Sequence, residues 1–201
     1  MISVKPIIGV IYRSDVSKSG NKIDIVYKDI LEAILSSGGV PVGVVGSKIE
    51  DYFDICSGFI LQGGDDISDE SLALIKKIVD KDIPLLGICL GMQEMGCFYD
   101  GVLEDIDNHK DSEMLHSIII DKNSLLYKIV GSDKIMVNSR HRSSLVSSKL
   151  KVSSRSEDGV IESIENKDLF FFLGLQWHPE NLYKENIYAR KIFDYFVKIC
   201  N

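Results

Sequence analysis

A chain of 201 residues with 45% hydrophobic and 26% charged residues is long enough to bury a core. Its formal net charge of −7, with no Lys/Arg cluster to offset it, excludes a non-specific nucleic-acid binder and favours small-molecule chemistry. The N-terminal MISVKPIIGVIY has too short an apolar run for a signal peptide, and no segment approaches the length of a membrane span, so a cytoplasmic location without membrane contact is expected.

In chain order, apolar runs of strand length occur at residues 6–12, 40–45, 58–62 and 83–89, with helix-period stretches between them. IDIVYKDILEAILSS, residues 23–37, places Ile23, Val26, Ile30 and Ile34 on one face and stops at Gly38-Gly39, a C-cap signal. Ser68 or Asp69 is positioned to cap a second helix, DESLALIKKIVDKD. Strands that are apolar throughout and alternate with helices predict a parallel sheet covered on both faces. The second half is richer in β signals, at residues 115–120, 134–138, 150–155, 160–165 and 169–177, before a closing helix over about 182–199. In that helix Ile187, Ala189, Ile192, Phe193, Phe196 and Val197 recur at helical spacing and are expected in the core. No repeat or Pro/Gly-rich linker interrupts the chain, so one domain over 1–201 is expected. Its four cysteines, Cys56, Cys89, Cys97 and Cys200, form no CxxC pair and are expected as reduced thiols.

Three segments can carry chemistry. In LLGICLG a buried strand should hand over to a helix at Cys89, with Gly87 and Gly91 removing side chains from a sharp turn. The thiol then faces first-turn N–H groups and the positive end of the helix dipole, which stabilise negative charge on a nucleophile. A small buried cysteine between packing glycines is the alternative. LGLQWHPEN, residues 173–181, ends an apolar strand in His178-Pro179-Glu180. Proline keeps the residue before it out of the α region, so His178 should project from the strand end, and Pro179 should block immediate helix formation. Glu180 can then turn back to hold the imidazole, leaving the other ring nitrogen to the thiol. A surface His-Pro-Glu turn is the plainer reading. In FILQGGDDI, residues 59–67, the amide of Gly63 or Gly64 could join that of Leu90 in an oxyanion hole, against the alternative of an ordinary Gly-Gly turn. His109 and His116 stand among Asp105, Asp107, Asp111 and Glu113 at spacings that define no ligand set, so a solvated acidic loop and no metal are expected.

GICLGMQ, QWHPE and the preceding QGGDD resemble the class I glutamine amidotransferase-like superfamily. PIIGV, SSGGVPV, GVLEDI, LHSIII, MVNSRHRS and EDGVIESIE extend the likeness nearly end to end, towards the γ-glutamyl-γ-aminobutyrate hydrolases. This resemblance implies a flavodoxin-like α/β fold with a mostly parallel central sheet flanked by helices, and a site at the carboxyl ends of its strands. It further implies a Cys89, His178, Glu180 triad working through a γ-glutamyl thioester, with no cofactor. The implied partner is a small γ-glutamyl compound, held by Gln93, Asn138, Ser139, Arg140 and His141. Arg140 or Arg142 can offer a forked guanidinium to a substrate carboxylate or remain a solvated charge.

The chain departs from the hydrolase pattern at three places. Leu90 stands where hydrolases usually carry Arg and amidotransferase subunits carry Leu. The connection from QGGDD to PLLGICLG is one helix where the hydrolases usually have a longer insert, and Asp65 replaces a residue that is often small, which favours a cationic leaving group. A glutaminase subunit that passes ammonia to a synthase partner is therefore a rival reading, and a non-catalytic γ-glutamyl binding module is another, although a binding module needs no complete triad. A homodimer and a synthase complex are both compatible with the resemblance.

Overall fold

The structure is a computed structural model that describes residues 4–107, 109–110 and 115–201. Its strands are β1 Ile7–Ile11, β2 Arg13–Val16, β3 Lys22–Ile25, β4 Val40–Val44, β5 Gly58–Leu61, β6 Leu85–Ile88, β7 Val102–Asp105, β8 Leu115–Ile120, β9 Lys134–Asn138, β10 Ser143–Ser147, β11 Lys151–Ser156, β12 Ile161–Glu165 and β13 Phe172–Leu175. The α-helices are α1 Lys28–Ser36, α2 Asp69–Asp80, α3 Leu90–Phe98, α4 Leu125–Val130, α5 Pro179–Leu182 and α6 Ile187–Ile199. Among the described residues no helix is long and apolar enough to cross a membrane.

Nine strands form one sheet in the order β4-β1-β5-β6-β13-β12-β11-β8-β9. Neighbours are parallel from β4 to β13 and antiparallel from β13 to β9. Only β12 and β8 are reversed, so seven of the nine strands run the same way, which is the mostly parallel sheet expected of a flavodoxin-like α/β fold. Side chains alternating along these strands feed two cores. Ile8, Ile60, Leu86 and Leu173 pack with α1, α4 and α6, while Phe59, Leu61, Leu85 and Phe172 pack with α2 and α3. Phe193 and Phe196 on α6 are fully buried, and truncating either to Ala costs about 3–5 kcal/mol.

Local signals explain most boundaries. Ser68 caps α2 and exchanges hydrogen bonds with Ser71. After α1 the chain turns at Gly38 with φ 91°, a left-handed value that favours glycine. The helix predicted over residues 23–37 nevertheless starts only at Lys28. Ile23 and Ile25 belong to β3, which pairs antiparallel with β2 across a turn containing Gly20 at φ 82°. Their period-two spacing and the hairpin turn prevail over the helical period. The closing helix predicted over about 182–199 starts only at Ile187, as α6, where Asn186 caps it by accepting from the N–H groups of Tyr188 and Ala189. Pro179 does not block a helix either. It takes the first position of α5, where a missing N–H leaves no intrahelical bond unmade.

Candidate active site

Cys89 follows β6 directly and has φ 53° and ψ −107°, after which α3 begins at Leu90. Positive φ at a non-glycine residue costs about 1–3 kcal/mol and persists only where surrounding packing holds it. The strain sits on the cysteine, while its flanking glycines permit close approach. A Cβ on Gly91 would collide with the Leu61 carbonyl, and one on Gly87 would lie 2.8 Å from the Gly91 backbone. α3 is thereby seated hard against β5 and β6, with Cys89 at its N-terminus. The N–H of Leu90, in the first helical turn, has no acceptor within the helix.

His178 enters from the segment after β13. Its Nδ1 lies 2.7 Å from Glu180 Oε1, and the ring sits close enough to Cys89 for the thiol to raise its basicity. Burial alone would lower the basicity of this imidazole. The hydrogen bonds and charges of Cys89 and Glu180 outweigh burial and push its pKa up to about 10. Gly63 faces both groups: a Cβ there would lie 3.1 Å from His178 Cε1 and 3.7 Å from Cys89 Cβ. Gly64 packs alongside, where a Cβ would lie 2.9 Å from Leu90 Cδ2. The remaining cysteines are different in kind. Burial pushes the Cys56 thiol up to about 11 and Cys200 up to about 12, and burial together with Glu94 raises Cys97. All four cysteines are free thiols.

The substrate-binding candidates take divergent positions. Asn138 forms a two-point clamp on the His178 backbone, accepting from its N–H at 2.9 Å and donating to its carbonyl at 3.1 Å. Gln93 donates to the Ser143 carbonyl at 2.8 Å and to Gln176 Oε1 at 3.2 Å, and Gln176 Nε2 lies 3.8 Å from Cys89 Sγ. In the loop after β9 Ser139 and His141 are buried, whereas Arg140 is exposed and hydrogen-bonded to Asn181, and Arg142 is exposed. His109 and His116 do not occupy a solvated acidic loop. His109 is 3% exposed and bonded to Asp158 at 3.0 Å, and His116 lies 3.1 Å from the buried Glu162, because β8, β12 and the loop after β9 converge there. Asp111 and Glu113 lie outside the described residues.

Sequence reasoning missed the brace beneath Gly63. Arg13 makes a forked ion pair with Glu94, at 2.7 Å to each oxygen, and also donates to the carbonyls of Gln62 and Gly63. Gln62 donates to the Ile11 and Ile25 carbonyls and accepts from the Tyr27 N–H. Together they fix the Gly63 turn to β1, β3 and α3. Glu94, the one charged residue of a helix otherwise uncharged and buried over Leu90–Gly96, was the available signal. Beside Gly64 and Leu90 opens a cleft of about 620 Å³, walled in part by Asp15, Asp24, Asp65, Asp66 and Glu70. Arg13 also lines it, but its guanidinium is committed to Glu94.

A family model described as Peptidase C26 matches residues 68–180, a span that includes Cys89, His178 and Glu180. The gamma-glutamyl-gamma-aminobutyrate hydrolase PuuD of Escherichia coli (strain K12) is 26% identical, over 97% of this chain and 93% of its own length. Among solved structures, the glutaminase domain of Trypanosoma brucei CTPS with bound acivicin superposes with TM-score 0.72 at 18% identity, covering 96% of this chain and 94% of that one. A glutamine amido transferase from Methylobacillus flagellatus gives TM-score 0.62 at 18% identity, over 89% of this chain and 71% of that one. At such identities the structural matches speak for the fold alone.

Proposed function

The chain belongs to the Peptidase C26 family of class I glutamine amidotransferase-like hydrolases, and we propose that it cleaves the γ-glutamyl amide bond of a small γ-glutamyl amine and releases glutamate. Cys89 is the nucleophile, His178 the proton carrier and Glu180 the group that orients it. The observation that carries this reading is the strained Cys89 at the start of α3, bordering Gly63 together with an imidazole that Glu180 holds at 2.7 Å.

The chemistry follows from that geometry. The Cys89 thiolate attacks the γ-carbonyl carbon, and the resulting oxyanion is met by backbone N–H groups of Leu90 and of Gly63 or Gly64. As the C–N bond breaks, imidazolium His178 gives its Nε2 proton to the departing amine, leaving a γ-glutamyl thioester. Water then gives a proton to the now neutral imidazole and attacks the thioester. Glutamate departs and the Cys89–His178 pair is restored. Gln93, Asn138, Ser139, Arg140 and His141 act around this centre in unequal ways in this reading, with Asn138 setting the position of His178 and Arg140 offering a substrate carboxylate the guanidinium N–H groups that Asn181 does not take.

The acidic cleft extends the reading to the leaving group. A positively charged amine gains from Asp65 and Asp66, and an acidic one is opposed by them. Incubating the purified protein with γ-glutamyl amides bearing cationic, neutral and acidic leaving groups tests both parts. Glutamate release accompanied by a glutamyl adduct on Cys89 in quenched mass spectra is expected, and preference for the acidic amide would overturn the assignment of the cleft.

The rival, a glutaminase subunit, is favoured by Leu90, which is buried and packs against Gly64, and by the single helix α2 that connects QGGDD to PLLGICLG. It predicts little turnover by the isolated chain until a synthase partner is added. Vigorous hydrolysis by the chain alone, with γ-glutamyl amines preferred to glutamine, favours the free-standing hydrolase.

A further inference from the structure

A second cluster of titratable side chains is gathered at the loop after β9 and, His141 apart, takes no part in the acyl-transfer chemistry. At its centre is Glu162 on β12, with no solvent exposure. Its Oε1 lies 3.1 Å from His116 Nε2, 3.5 Å from His109 Nδ1 and 3.7 Å from His141 Nε2. Ligands at the corners of a tetrahedron around zinc stand about 3.3–3.6 Å apart, given bonds of about 2.0–2.2 Å. A proton bridges one such pair of atoms, whereas a metal ion serves several at once.

The outer nitrogens orient two of the three rings, whereas His116 Nδ1 is buried with no hydrogen-bond partner among the described residues. His141 Nδ1 lies 3.2 Å from the Ser143 carbonyl oxygen, which only accepts, so the proton belongs on Nδ1 and the Nε2 lone pair faces Glu162. His109 Nε2 is likewise held by the Asp158 carboxylate at 3.0 Å, turning Nδ1 inward beside Ser139 Oγ at 3.1 Å. Metal-binding histidines are set by such contacts from a carboxylate or carbonyl to the distal N–H. Inside the cluster, His141 Nε2 and Glu162 Oε2 are buried with no hydrogen-bond partner among the described residues. The ion-pair contacts of Glu162 among the described residues are all to histidine, with no Lys or Arg.

We propose that His109, His116 and Glu162, with His141 closing the set, bind one zinc ion apart from the Cys89 centre. Imidazole nitrogens with one carboxylate are borderline donors that suit zinc better than calcium or magnesium. The ion is structural in role. It ties the loop carrying His141 to β8 and β12, and that loop begins at Asn138, the clamp on His178.

Because Cys89 and His178 could themselves capture zinc, the test uses the full chain with Cys89→Ala, stripped with chelator and checked for folding by circular dichroism. Titration with zinc chloride in a calorimeter is expected to give one site per chain and a raised melting temperature, and cobalt chloride should give the visible absorption of tetrahedral nitrogen and oxygen ligation. Adding His116→Gln, at a half-buried position, should weaken zinc by on the order of 100-fold. Glu162→Gln should do the same if it folds. No saturable binding to Cys89→Ala, or binding that His116→Gln and His141→Gln both leave unchanged, would overturn the site. A cobalt–thiolate band in the wild-type protein as the only metal signal would place the ion at the nucleophile and overturn it equally.

Discussion

On one flank of Cys89, His178 is 9% exposed and Glu180 and Asn138 are each 5% exposed, and hydrogen bonds of 2.7 to 3.1 Å join the three. On the other flank Asp65 and Asp66 are exposed in a cleft of about 620 Å³ whose wall includes Gly64 and Leu90, the residue after the sulfur. The buried flank has few degrees of freedom left, which suits a group that must carry a proton between fixed atoms. The open flank is screened by water and tolerates substitution, which suits selection among leaving groups. Reaction type and substrate preference should therefore separate by mutation.

The largest effect is expected at the sulfur that both flanks share. Cys89→Ala should lower glutamate release by on the order of 10⁵-fold, with unfolding midpoints nearly unchanged, because Ala inherits the same strained φ. Retained turnover in that variant would remove the nucleophile assignment. Next comes Glu180→Gln, which keeps the shape of the buried flank and removes its charge, and should lower kcat by on the order of 10³-fold. The pH dependence gives an independent reading of the same change. The folded His178 pKa, about 10, stands above the ordinary 6.5, so the stabilisation it brings is complete below about 6.5 and is lost as pH rises through about 10. Wild-type melting temperatures should fall across that window, and Glu180→Gln, having lost one of the groups that raise the pKa, should fall less. Parallel melting curves would mean that Glu180 does not hold the imidazolium.

The buried flank was partly legible in the sequence and the reasons differ residue by residue. Gly87, Cys89 and Gly91 announced a sharp strand-to-helix junction, and His178-Pro179-Glu180 announced a fixed imidazole, because both signals are local and steric. The core strands were legible for a similar reason, since four-residue apolar runs such as 85–88 have few other places to go. The Asn138 clamp was not readable as such: it joins β9 to the segment after β13, a contact between residues 40 apart that leaves no periodic trace. Arg13–Glu94 was hidden likewise, across 81 residues. The ribbons β2-β3 and β7-β10 escaped notice because half-exposed short strands carry little apolar pattern. His109 looked solvated for want of knowing that Glu162, on a strand far along the chain, lies beneath it.

Asn138→Ala sharpens the comparison from within the buried flank. It strips partners from the His178 N–H and carbonyl, each worth about 1–3 kcal/mol when left unpaired. It leaves the bond between His178 and Glu180 in place. The expected result is a loss of roughly 10- to 100-fold in kcat through misplacement of the ring, with the pH dependence of Cys89 alkylation by iodoacetamide keeping its wild-type midpoint. A shifted midpoint would show that Asn138 tunes the charge of the pair as well as its position.

The smallest effect is expected on the open flank. Asp65→Asn removes one exposed charge, whose influence on a bound cation across a wet cleft amounts to roughly threefold and is screened by salt. KM for γ-glutamyl amides with a cationic leaving group should rise by about that factor at low ionic strength, KM for neutral amides should stay the same, and kcat should not move for either. Raising the salt concentration should erase the difference between the variant and the wild type, because a screened field is the only thing the substitution alters. If instead kcat falls for every substrate, Asp65 acts on the reacting atoms through the Gly63-Gly64 turn, and the two flanks are one mechanical unit; if nothing changes even at low salt, the leaving group never enters the acidic cleft and must depart along another face of Cys89.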